Sequence, residues 1–234
     1  MLAELSLQGR TAIVTGSGRG IGRAIALVLA EAGANIVGAA RTVSEIEATA
    51  SEVRALGREA MAVRTDVASS SEVDALVDRA LKHFGKVDIL VNNAGQDMNL
   101  PVAPFPDATL RPPLVSREST SRTTDQEWSG IINANLSGVF YCCRAVAPHM
   151  MERKYGKIIN VGSTAGWSDG WAGGVPEQSA YASTKGAVIR FSEVFSHQVR
   201  RYGINVNCLG VGAETYISYA ANVAISKVRG TDPP

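Results

Sequence analysis

The chain has 234 residues, of which 45% are hydrophobic and 19% are charged, and its formal net charge is +1. This length and composition are typical of a single globular α/β domain with a large buried core, and they exclude a disordered protein. A net charge near zero, without a basic tail or a polybasic run, gives no sign of a nucleic-acid partner.

Three further features predict a cytoplasmic protein without a membrane partner. No uninterrupted apolar stretch reaches the roughly 18 residues of a transmembrane helix. The N-terminal run Met1–Ser6 lacks a basic region followed by an apolar core, so we expect no signal peptide. Three cysteines, two of them the adjacent Cys142 and Cys143, do not form a disulfide framework and are predicted to be buried thiols.

Strand-like and helix-like patterns alternate along the chain. The predicted strands, in chain order, are Thr11–Thr15, Asn35–Ala40, Ala60–Arg64, Val87–Val91, Lys157–Val161 and Ile204–Cys208. Helices are predicted at about Gly22–Ala32, at Ser44–Leu56 and from near Ser70, where Val73, Leu76, Val77 and Leu81 mark an amphipathic face. Continuous apolar strands joined by helical crossovers predict an α/β fold of three layers, a parallel sheet covered by helices on both faces.

We expect residues 1–234 to form one domain, because no internal repeat and no interdomain linker is visible. One stretch interrupts the alternation: residues 96–124 are rich in Pro, Ser, Thr and Arg and are predicted to be an extended loop. Loops of this length are uncommon in compact domains unless they are functional or disordered.

A glycine-rich loop follows the first predicted strand and opens the first helix, in the run Thr15-Gly-Ser-Gly-Arg-Gly-Ile-Gly22. Glycines allow a tight turn and close approach to a pyrophosphate, whose charge is favoured by the free amides at a helix start. The strict GxGxxG spacing is not met, because position 21 is Ile, and a glycine-rich turn without a ligand is the alternative. The candidate cofactor-binding residues of this loop are Gly16, Ser17, Arg19, Gly20, Ile21 and Gly22.

The end of the second strand usually distinguishes the two nicotinamide dinucleotides, since an acid there binds the ribose 2′-hydroxyl and an arginine accommodates a 2′-phosphate. Here Arg41 follows the strand, no acid occurs before Glu45, and Arg19 adds a second cation. We therefore predict NADP(H), with NAD(H) as the alternative cofactor. The other interpretation of Arg41 is a solvated loop residue.

Two more strand ends carry candidate cofactor contacts. Asp66 and Val67 follow the third strand, where we expect them to lie on the adenine side. Asn93, Ala94 and Gly95 follow the fourth strand, at the carboxyl edge where ligands bind in open α/β sheets.

Tyr181 and Lys185 are four residues apart, so in a helix they share one face. An ammonium beside a phenol favours the phenolate and lowers the tyrosine pKa from its usual value of about 10. Such a tyrosine can give a proton to a carbonyl oxygen, or take one from an alcohol, near neutral pH.

Taken together, these motifs resemble the short-chain dehydrogenase/reductase family in its compact single-domain form. They occur in the family's order over about residues 5 to 208, as Thr15-Gly16-xxx-Gly20-Ile21-Gly22, Asn92-Asn93-Ala94-Gly95, Asn135, Ser163 and Tyr181-xxx-Lys185. The resemblance implies a Rossmann-type doubly wound sheet, a nicotinamide cofactor, a small-molecule carbonyl or alcohol substrate, and a homodimer or homotetramer.

The same resemblance implies roles for four catalytic residues. Tyr181 would be the general acid in reduction and the base in oxidation, and Lys185 would lower its pKa and bind the nicotinamide ribose. Ser163 would hold the substrate oxygen. Asn135 would distort its helix and hold a water in the proton relay; Asn133 is the other candidate, but Leu-Ser-Gly after Asn135 matches the family phrase.

The end of the chain departs from the family pattern. The run Val211-Gly-Ala-Glu-Thr215 lacks the family's proline, and no seventh strand is recognisable in residues 209–234, which we interpret as a divergent or shortened C-terminal segment. For this reason a dinucleotide-binding protein with little or no catalysis, a scaffold or sensor, is the alternative function.

The chain gives no support for a metal site, because His83, His149 and His197 lie far apart without ligand spacing. Trp167 and Trp171 would either form a wall for an apolar substrate or serve packing. Oxoacyl thioesters, sugars or polyols, steroid-like ketones and small diketones all remain open as substrates.

Overall fold

The computed structural model describes residues 6–96, 102, 123–166 and 179–211. The strands are β1 (Thr11–Thr15), β2 (Asn35–Ala40), β3 (Ala60–Arg64), β4 (Ile89–Asn92), β5 (Gly156–Ser163) and β6 (Ile204–Val211). The helices are α1 (Gly20–Glu31), α2 (Val43–Ala55), α3 (Ser70–Phe84), α4 (Asp125–Ile132), α5 (Gly138–Arg153) and α6 (Ser179–Val199). A π-helical segment (Asn133–Ser137) connects α4 to α5.

All six strands are parallel and lie in the order β3-β2-β1-β4-β5-β6. The chain therefore builds the sheet outward from β1 in one direction, then crosses back to add β4 beside β1. This reversal of strand order makes the carboxyl ends of β1 and β4 the point where ligands bind in doubly wound folds. The predicted three-layer, Rossmann-type fold is confirmed.

Side chains of alternate strand residues supply two cores, one on each face of the sheet. Ile13 of β1 packs with α3, α5 and α6 in the first core, which also contains Leu76, Val146 and Val188. Its neighbours Ala12 and Val14 point to the other face and pack in the second core with α1 and α2. Both faces of β1 are thus buried, as its continuous apolar sequence predicts.

The predicted bounds of β1, β2 and β3 agree with the structure, whereas those of the later strands differ. β4 begins at Ile89 rather than at Val87; the buried Asp88 before it accepts a hydrogen bond from the Thr11 amide and forms an ion pair with Arg153. β5 and β6 are longer than predicted, since they pair along their full length from Gly156↔Ile204 to Ser163↔Val211.

Two of the helices have well-defined ends that their sequences encode. Thr124 and Glu127 form a reciprocal capping box at the start of α4. Ser69 caps α3, which ends at Gly85 in the left-handed conformation (φ 72°) that glycine adopts without steric cost.

Two predicted segments lie largely outside the described residues. Of the 96–124 loop, only residues 96, 102, 123 and 124 are described, and of the 209–234 segment only 209–211, which belong to β6. In the described part of the chain, no helix has the length and apolar character needed to span a bilayer.

Candidate active site

The glycine loop between β1 and α1 forms a backbone cradle at the carboxyl end of β1. Gly16 and Gly20 have positive φ angles of 67° and 55°, a conformation that side chains strongly disfavour. A Cβ atom at Gly22 would lie 2.1 Å from the carbonyl oxygen of Gly16, so only glycine allows α1 to start this close to the loop. The cradle therefore exposes main chain where a pyrophosphate is expected.

Thr15 joins this cradle to the segment that follows β4. Its hydroxyl donates to the carbonyl oxygen of Val91 at 3.3 Å and accepts from the amides of Asn93 and Ala94, each at 3.0 Å. The Asn93 side chain in turn donates to the carbonyl oxygens of Thr15 and Gly16 at 3.0 and 3.3 Å. The two loops are thus held in one fixed arrangement. This function of Thr15 is not evident from its sequence context.

A cleft opens along the carboxyl edge of the sheet, beside the cradle. Its walls come from the glycine loop, the ends of β2, β3 and β4, and the π-helical segment. The lining residues are Gly16, Gly18, Arg19, Ala39, Ala40, Arg41, Thr42, Glu45, Thr65, Asp66, Val67, Ala94, Gly95, Gln96 and Ala134. Seven predicted cofactor-binding residues meet here: Gly16, Arg19, Arg41, Asp66, Val67, Ala94 and Gly95.

The remaining loop residues contribute in other ways. Gly22 and Asn93 shape the cradle, whereas Gly20 and Ile21 are the first two residues of α1. The side chain of Ser17 is fully buried and faces β2, because a Cβ atom at Gly38 would lie 2.7 Å from its hydroxyl oxygen. A contact between Ser17 and a ligand in the cleft would therefore involve its main chain.

The end of the cleft nearest β2 carries charges of both signs. The exposed Arg19 and Arg41 bring two guanidinium groups to it, and Glu45 brings a carboxylate. Glu45 packs directly on the glycine loop, since a Cβ atom placed on Gly18 would lie 2.7 Å from the Cβ atom of Glu45. The two cations favour a doubly charged anion here, and the carboxylate opposes it.

At the end of β3, both the side chain and the main-chain amide of Asp66 form hydrogen bonds within the protein. Its side chain accepts a hydrogen bond from the amide of Ala68 at 3.0 Å, and its own amide donates to Glu72 at 2.9 Å. Glu72 also pairs with Arg64 at 3.0 Å. This arrangement fixes the turn between β3 and α3 that carries Asp66 and Val67.

Asn135 lies within the π-helical segment, and its side chain is 1% exposed. The Oδ1 atom accepts from the amide of Gln96 at 2.7 Å, and Nδ2 donates to the Gln96 carbonyl oxygen at 2.8 Å and to Thr184 Oγ1 at 3.2 Å. The side-chain amide thus uses both of its N–H donors. π-Helical turns within α-helices occur frequently at functional sites.

Lys185 connects the cleft to β5. It is 7% exposed, and Nζ donates to the carbonyl oxygen of Val161 at 2.8 Å. The same atom lies 5.6 Å from the centre of the Tyr181 ring. A Cβ atom at Gly95 would lie 3.8 Å from Nζ and 3.2 Å from Asn135 Oδ1, so the β4 loop, Asn135 and Lys185 meet at this glycine.

Ser163 is the last residue of β5 and is nearly buried, and its Oγ accepts from the amide of Ala165 at 3.2 Å. The short turn after it packs tightly against α6, because a Cβ atom at Gly166 would lie 2.6 Å from the amide of Gly186. The fold therefore brings Ser163, Tyr181, Lys185 and Asn135 to the same edge of the sheet as the glycine cradle.

A buried polar cluster lies below this edge, between β4, β5, α5 and α6. Asn92 donates to Asn160 at 2.8 Å and to the thiol of Cys143 at 3.4 Å, and Asn160 donates to Ser192 at 2.8 Å. Burial raises the pKa of Cys142 to about 12 and raises that of Cys143 as well. Both cysteines are core thiols that stay protonated, which agrees with their predicted burial.

The three histidines serve other contacts. His83 lies 3.5 Å from Glu59, and His149 accepts from the amide of Val87 at 3.4 Å, while His197 is exposed on α6. Among the described residues, no group of three potential metal ligands comes together. Trp167, Trp171 and Thr215 lie outside the described ranges.

Comparison with known proteins gives consistent matches. A family model described as short chain dehydrogenase matches residues 10–215. A 3-oxoacyl-(acyl-carrier-protein) reductase of Staphylococcus epidermidis is 36% identical over 204 residues, which is 87% of this chain and 74% of the relative. A (2S)-((R)-hydroxy(phenyl)methyl)succinyl-CoA dehydrogenase subunit of Thauera aromatica is 34% identical over 208 residues, 89% of this chain and 74% of the relative.

Two solved structures also align over most of the chain. A metagenomic short-chain oxidoreductase in complex with NADP gives a TM-score of 0.74 at 31% identity, covering 88% of this chain and 84% of that one. An NAD⁺-bound xylitol dehydrogenase gives a TM-score of 0.77 at 30% identity, covering 94% of this chain and 77% of that one.

Proposed function

Because the chain belongs to the short-chain dehydrogenase family, and is thus an NAD(P)-dependent oxidoreductase of CH–OH and C=O groups, we propose that it transfers a hydride between NADP(H) and a carbonyl or secondary-alcohol substrate. The observation that carries this proposal is the position of Lys185 Nζ. It is bonded to Val161 of β5, lies 5.6 Å from the Tyr181 ring centre, and is close to Gly95 at the cofactor cleft.

The residues around the cleft fit a dinucleotide. The cradle of Gly16 and Gly22 has no room for side chains, and its main chain borders the cleft at the start of α1. Amides at a helix N-terminus favour a pyrophosphate. When bound, the cofactor supplies the hydride, and the protein orients and polarises the substrate.

NADP(H) is supported by Arg19 and Arg41, both of which border the cleft, Arg19 in the glycine loop and Arg41 directly after β2. Guanidinium groups bind phosphate oxygens in a bidentate manner, so the pair suits the 2′-phosphate that distinguishes NADP(H) from NAD(H). The two structural relatives bind different dinucleotides, so the choice rests on these two arginines.

We assign the proton transfer to Tyr181. The ammonium of Lys185 favours the phenolate of a neighbouring tyrosine, which lets the phenol exchange a proton with the substrate oxygen near neutral pH. Ser163, at the end of β5, holds the same oxygen through its hydroxyl. The phenol thus donates in the reduction direction and accepts in the oxidation direction.

Asn135 has an indirect role in the proposed reaction. Its side-chain amide is already bonded to Gln96 and Thr184, so a water of the proton relay would bind to main-chain oxygens of the π-helical segment. Asn135 then fixes the Gln96 main chain next to Gly95, and it acts on the reaction by holding that part of the cleft in place.

A 3-oxoacyl thioester is the first substrate class to test. Both curated relatives are named for thioester substrates, one on acyl carrier protein and one on coenzyme A.

We further propose that the chain assembles as a homodimer or homotetramer. Trp128, Phe140 and Val194 support this, because they expose apolar side chains on α4, α5 and α6.

The test is a turnover assay of the wild type with NADPH and with NADH on a panel of carbonyls: acetoacetyl-CoA, a cyclic ketone, a diketone and a ketose. Tyr181→Phe is assayed beside it, with Tyr155→Phe as the matched control on the opposite edge of the sheet. We expect turnover by the wild type and the control, and none by Tyr181→Phe.

Two results would contradict the proposal. NADPH binding by calorimetry without turnover of any carbonyl would indicate a dinucleotide-binding protein instead. Equal activity of Tyr181→Phe and wild type would remove Tyr181 from the reaction.

A further inference from the structure

Thr184 lies on α6 between Tyr181 and Lys185, and its side chain is completely buried. Its hydroxyl donates to the carbonyl oxygen of Tyr181 at 2.7 Å. A threonine within a helix commonly makes such a bond to the preceding turn. What is additional here is a second bond, in which the same hydroxyl accepts from Nδ2 of Asn135 at 3.2 Å.

The second bond extends a chain of contacts across the site. Asn135 is bonded through both ends of its amide to the main chain of Gln96, which follows Gly95 at the edge of the cofactor cleft. Thr184 continues this chain from Asn135 to the main chain of Tyr181. It thereby connects the β4 loop and the π-helical segment to the helix that carries the phenol.

Lys185 attaches the same turn of α6 to a different element, because its Nζ is bonded to the carbonyl oxygen of Val161 on β5. Adjacent residues of the helix are therefore tied to two separate partners, the π-helical segment and the sheet. Two such attachments oppose rotation of the helix about its axis, and this rotation determines where the Tyr181 side chain points.

We propose that Thr184 is a positioning residue for the reaction: its hydroxyl fixes the orientation of Tyr181 relative to Asn135 and to the cofactor cleft. This inference rests on the proposed function of Tyr181 as the proton donor. Thr184 itself is not expected to contact the substrate or the cofactor. It acts through the main chain of the turn that holds Tyr181 and Lys185.

The alternative is that Thr184 has a purely structural role and contributes only to stability, through its hydrogen bond within the helix and its packing. The two hypotheses differ in which measured properties change when the hydroxyl is lost. If Thr184 positions the phenol, then losing the hydroxyl changes the ionisation of Tyr181 and the rate of turnover. If it only stabilises the helix, the melting temperature alone changes.

The experiment compares pairs of variants that differ by the hydroxyl. Thr184→Val keeps the shape and removes the hydroxyl, while Thr184→Ser keeps the hydroxyl and removes a methyl group. Thr184→Ala removes both, so that the Ser/Ala pair repeats the comparison if the valine variant does not fold. Ser183→Ala is the matched control, because Ser183 is the exposed neighbour on the same helix.

Two readouts are measured for each protein. The first is kcat, KM and the pH dependence of kcat with NADPH and acetoacetyl-CoA, together with the Kd for NADPH. The second does not need turnover: ultraviolet titration of the phenol at 295 nm, in which each protein is compared with its own Tyr181→Phe counterpart so that Tyr181 alone remains in the difference.

We expect kcat of Thr184→Val to fall about tenfold to a hundredfold, since small displacements of a reacting group have effects of this size. The Kd for NADPH stays unchanged, and both the basic limb of the kcat profile and the Tyr181 titration move to higher pH. Thr184→Ser and Ser183→Ala behave like the wild type.

Unchanged kcat and an unchanged Tyr181 titration in Thr184→Val, or equal values for the Ser and Ala variants, would overturn the inference. A wild type that turns over no carbonyl would instead count against the proposed function. In that case the Tyr181 titration still decides the role of Thr184.

Discussion

The ammonium group of Lys185 donates a hydrogen bond to the carbonyl oxygen of Val161 at 2.8 Å. Val161 lies two residues before Ser163 on β5, so the lysine is anchored to the strand that delivers the proposed substrate-binding hydroxyl. A buried ammonium needs such partners, because removal from water is costly without them. The bond therefore holds the charge at a defined place relative to Tyr181 and Gly95.

Lys185→Met tests this relationship, since methionine keeps a long unbranched chain and removes the charge. We expect kcat to fall by about 10² to 10⁴, the usual contribution of acid–base catalysis, because proton transfer by Tyr181 depends on this charge. The basic limb of the residual activity moves to higher pH, because the phenol no longer lies beside a cation. Lys82→Met, on the exposed surface of α3, is the control and retains full activity. A pH profile that does not move would separate Lys185 from the ionisation of Tyr181.

Alanine substitutions at two glycines, Gly22 in the cradle and Gly130 in α4, are expected to have opposite effects on stability. In Gly22→Ala the new methyl group would lie 2.1 Å from the Gly16 carbonyl oxygen, so we expect loss of about 1–3 kcal/mol of stability and loss of NADPH binding. Gly130→Ala meets no atom within 4 Å in α4, and we expect a gain of about 0.5–1 kcal/mol. Urea unfolding and NADPH fluorescence titration measure both. Normal cofactor affinity in Gly22→Ala would contradict the close packing described for the cradle.

Arg41→Ala tests the cofactor preference. We expect the Kd for NADPH to rise about tenfold to a hundredfold, as a hydrogen-bonded charge contact is lost, while the Kd for NADH stays the same. The fragments 2′,5′-ADP and 5′-AMP repeat the comparison without the nicotinamide. Arg58→Ala is the control, because Arg58 bonds Gln8 away from the cleft. Equal losses for both fragments would show that Arg41 does not recognise the 2′-phosphate.

Because burial raises the pKa of Cys142 from 9.0 to about 12, stability falls at alkaline pH. Below pH 9 the thiol is protonated in both states and its contribution is fully present. Between pH 9 and 12 the unfolded chain binds fewer protons than the folded one, so the free energy of unfolding decreases as pH rises.

Cys142→Ala removes this contribution of the thiol to the pH dependence of stability. From pH 9 to pH 10 its unfolding free energy should decrease by about 1 kcal/mol less than that of the wild type. The control Val146→Ala, a similar truncation in the same core, should lose stability by the same amount at every pH. Urea unfolding between pH 7 and 10 gives the comparison, and parallel profiles for wild type and Cys142→Ala would contradict the assignment.

Local sequence pattern was enough for the first three strands and for the glycine loop. Thr11–Thr15, Asn35–Ala40 and Ala60–Arg64 are short apolar runs bounded by glycines and polar residues, and the structure gives the same bounds. Prediction was less accurate for β4, which begins at Ile89, after the buried Asp88. For β5 and β6, the last residues join the sheet because the partner strand is present.

Within the candidate site, the residue types were predictable but their contacts were not. Ser17 is part of the glycine loop, yet its side chain faces Gly38 of β2. Thr15 looks like the last residue of a strand, and only the pairing of β1 with β4 brings Asn93 and Ala94 to its hydroxyl. Glu45 lines the cleft because α2 packs on Gly18, which no local pattern indicates.

The sequence by itself determined the periodic elements, the glycine cradle and the spacing of Tyr181 and Lys185, because each depends on residues close together along the chain. The tertiary structure alone decided that Lys185 is bonded to Val161 and that Thr184 connects Asn135 to the turn of Tyr181. The bonds of Lys185 to Val161 and of Thr184 to Asn135 join residues far apart in the chain. They exist because the strand order places β5 between β4 and β6, with α6 packed on β5 and β6, and strand order follows from packing of the whole sheet rather than from any one segment.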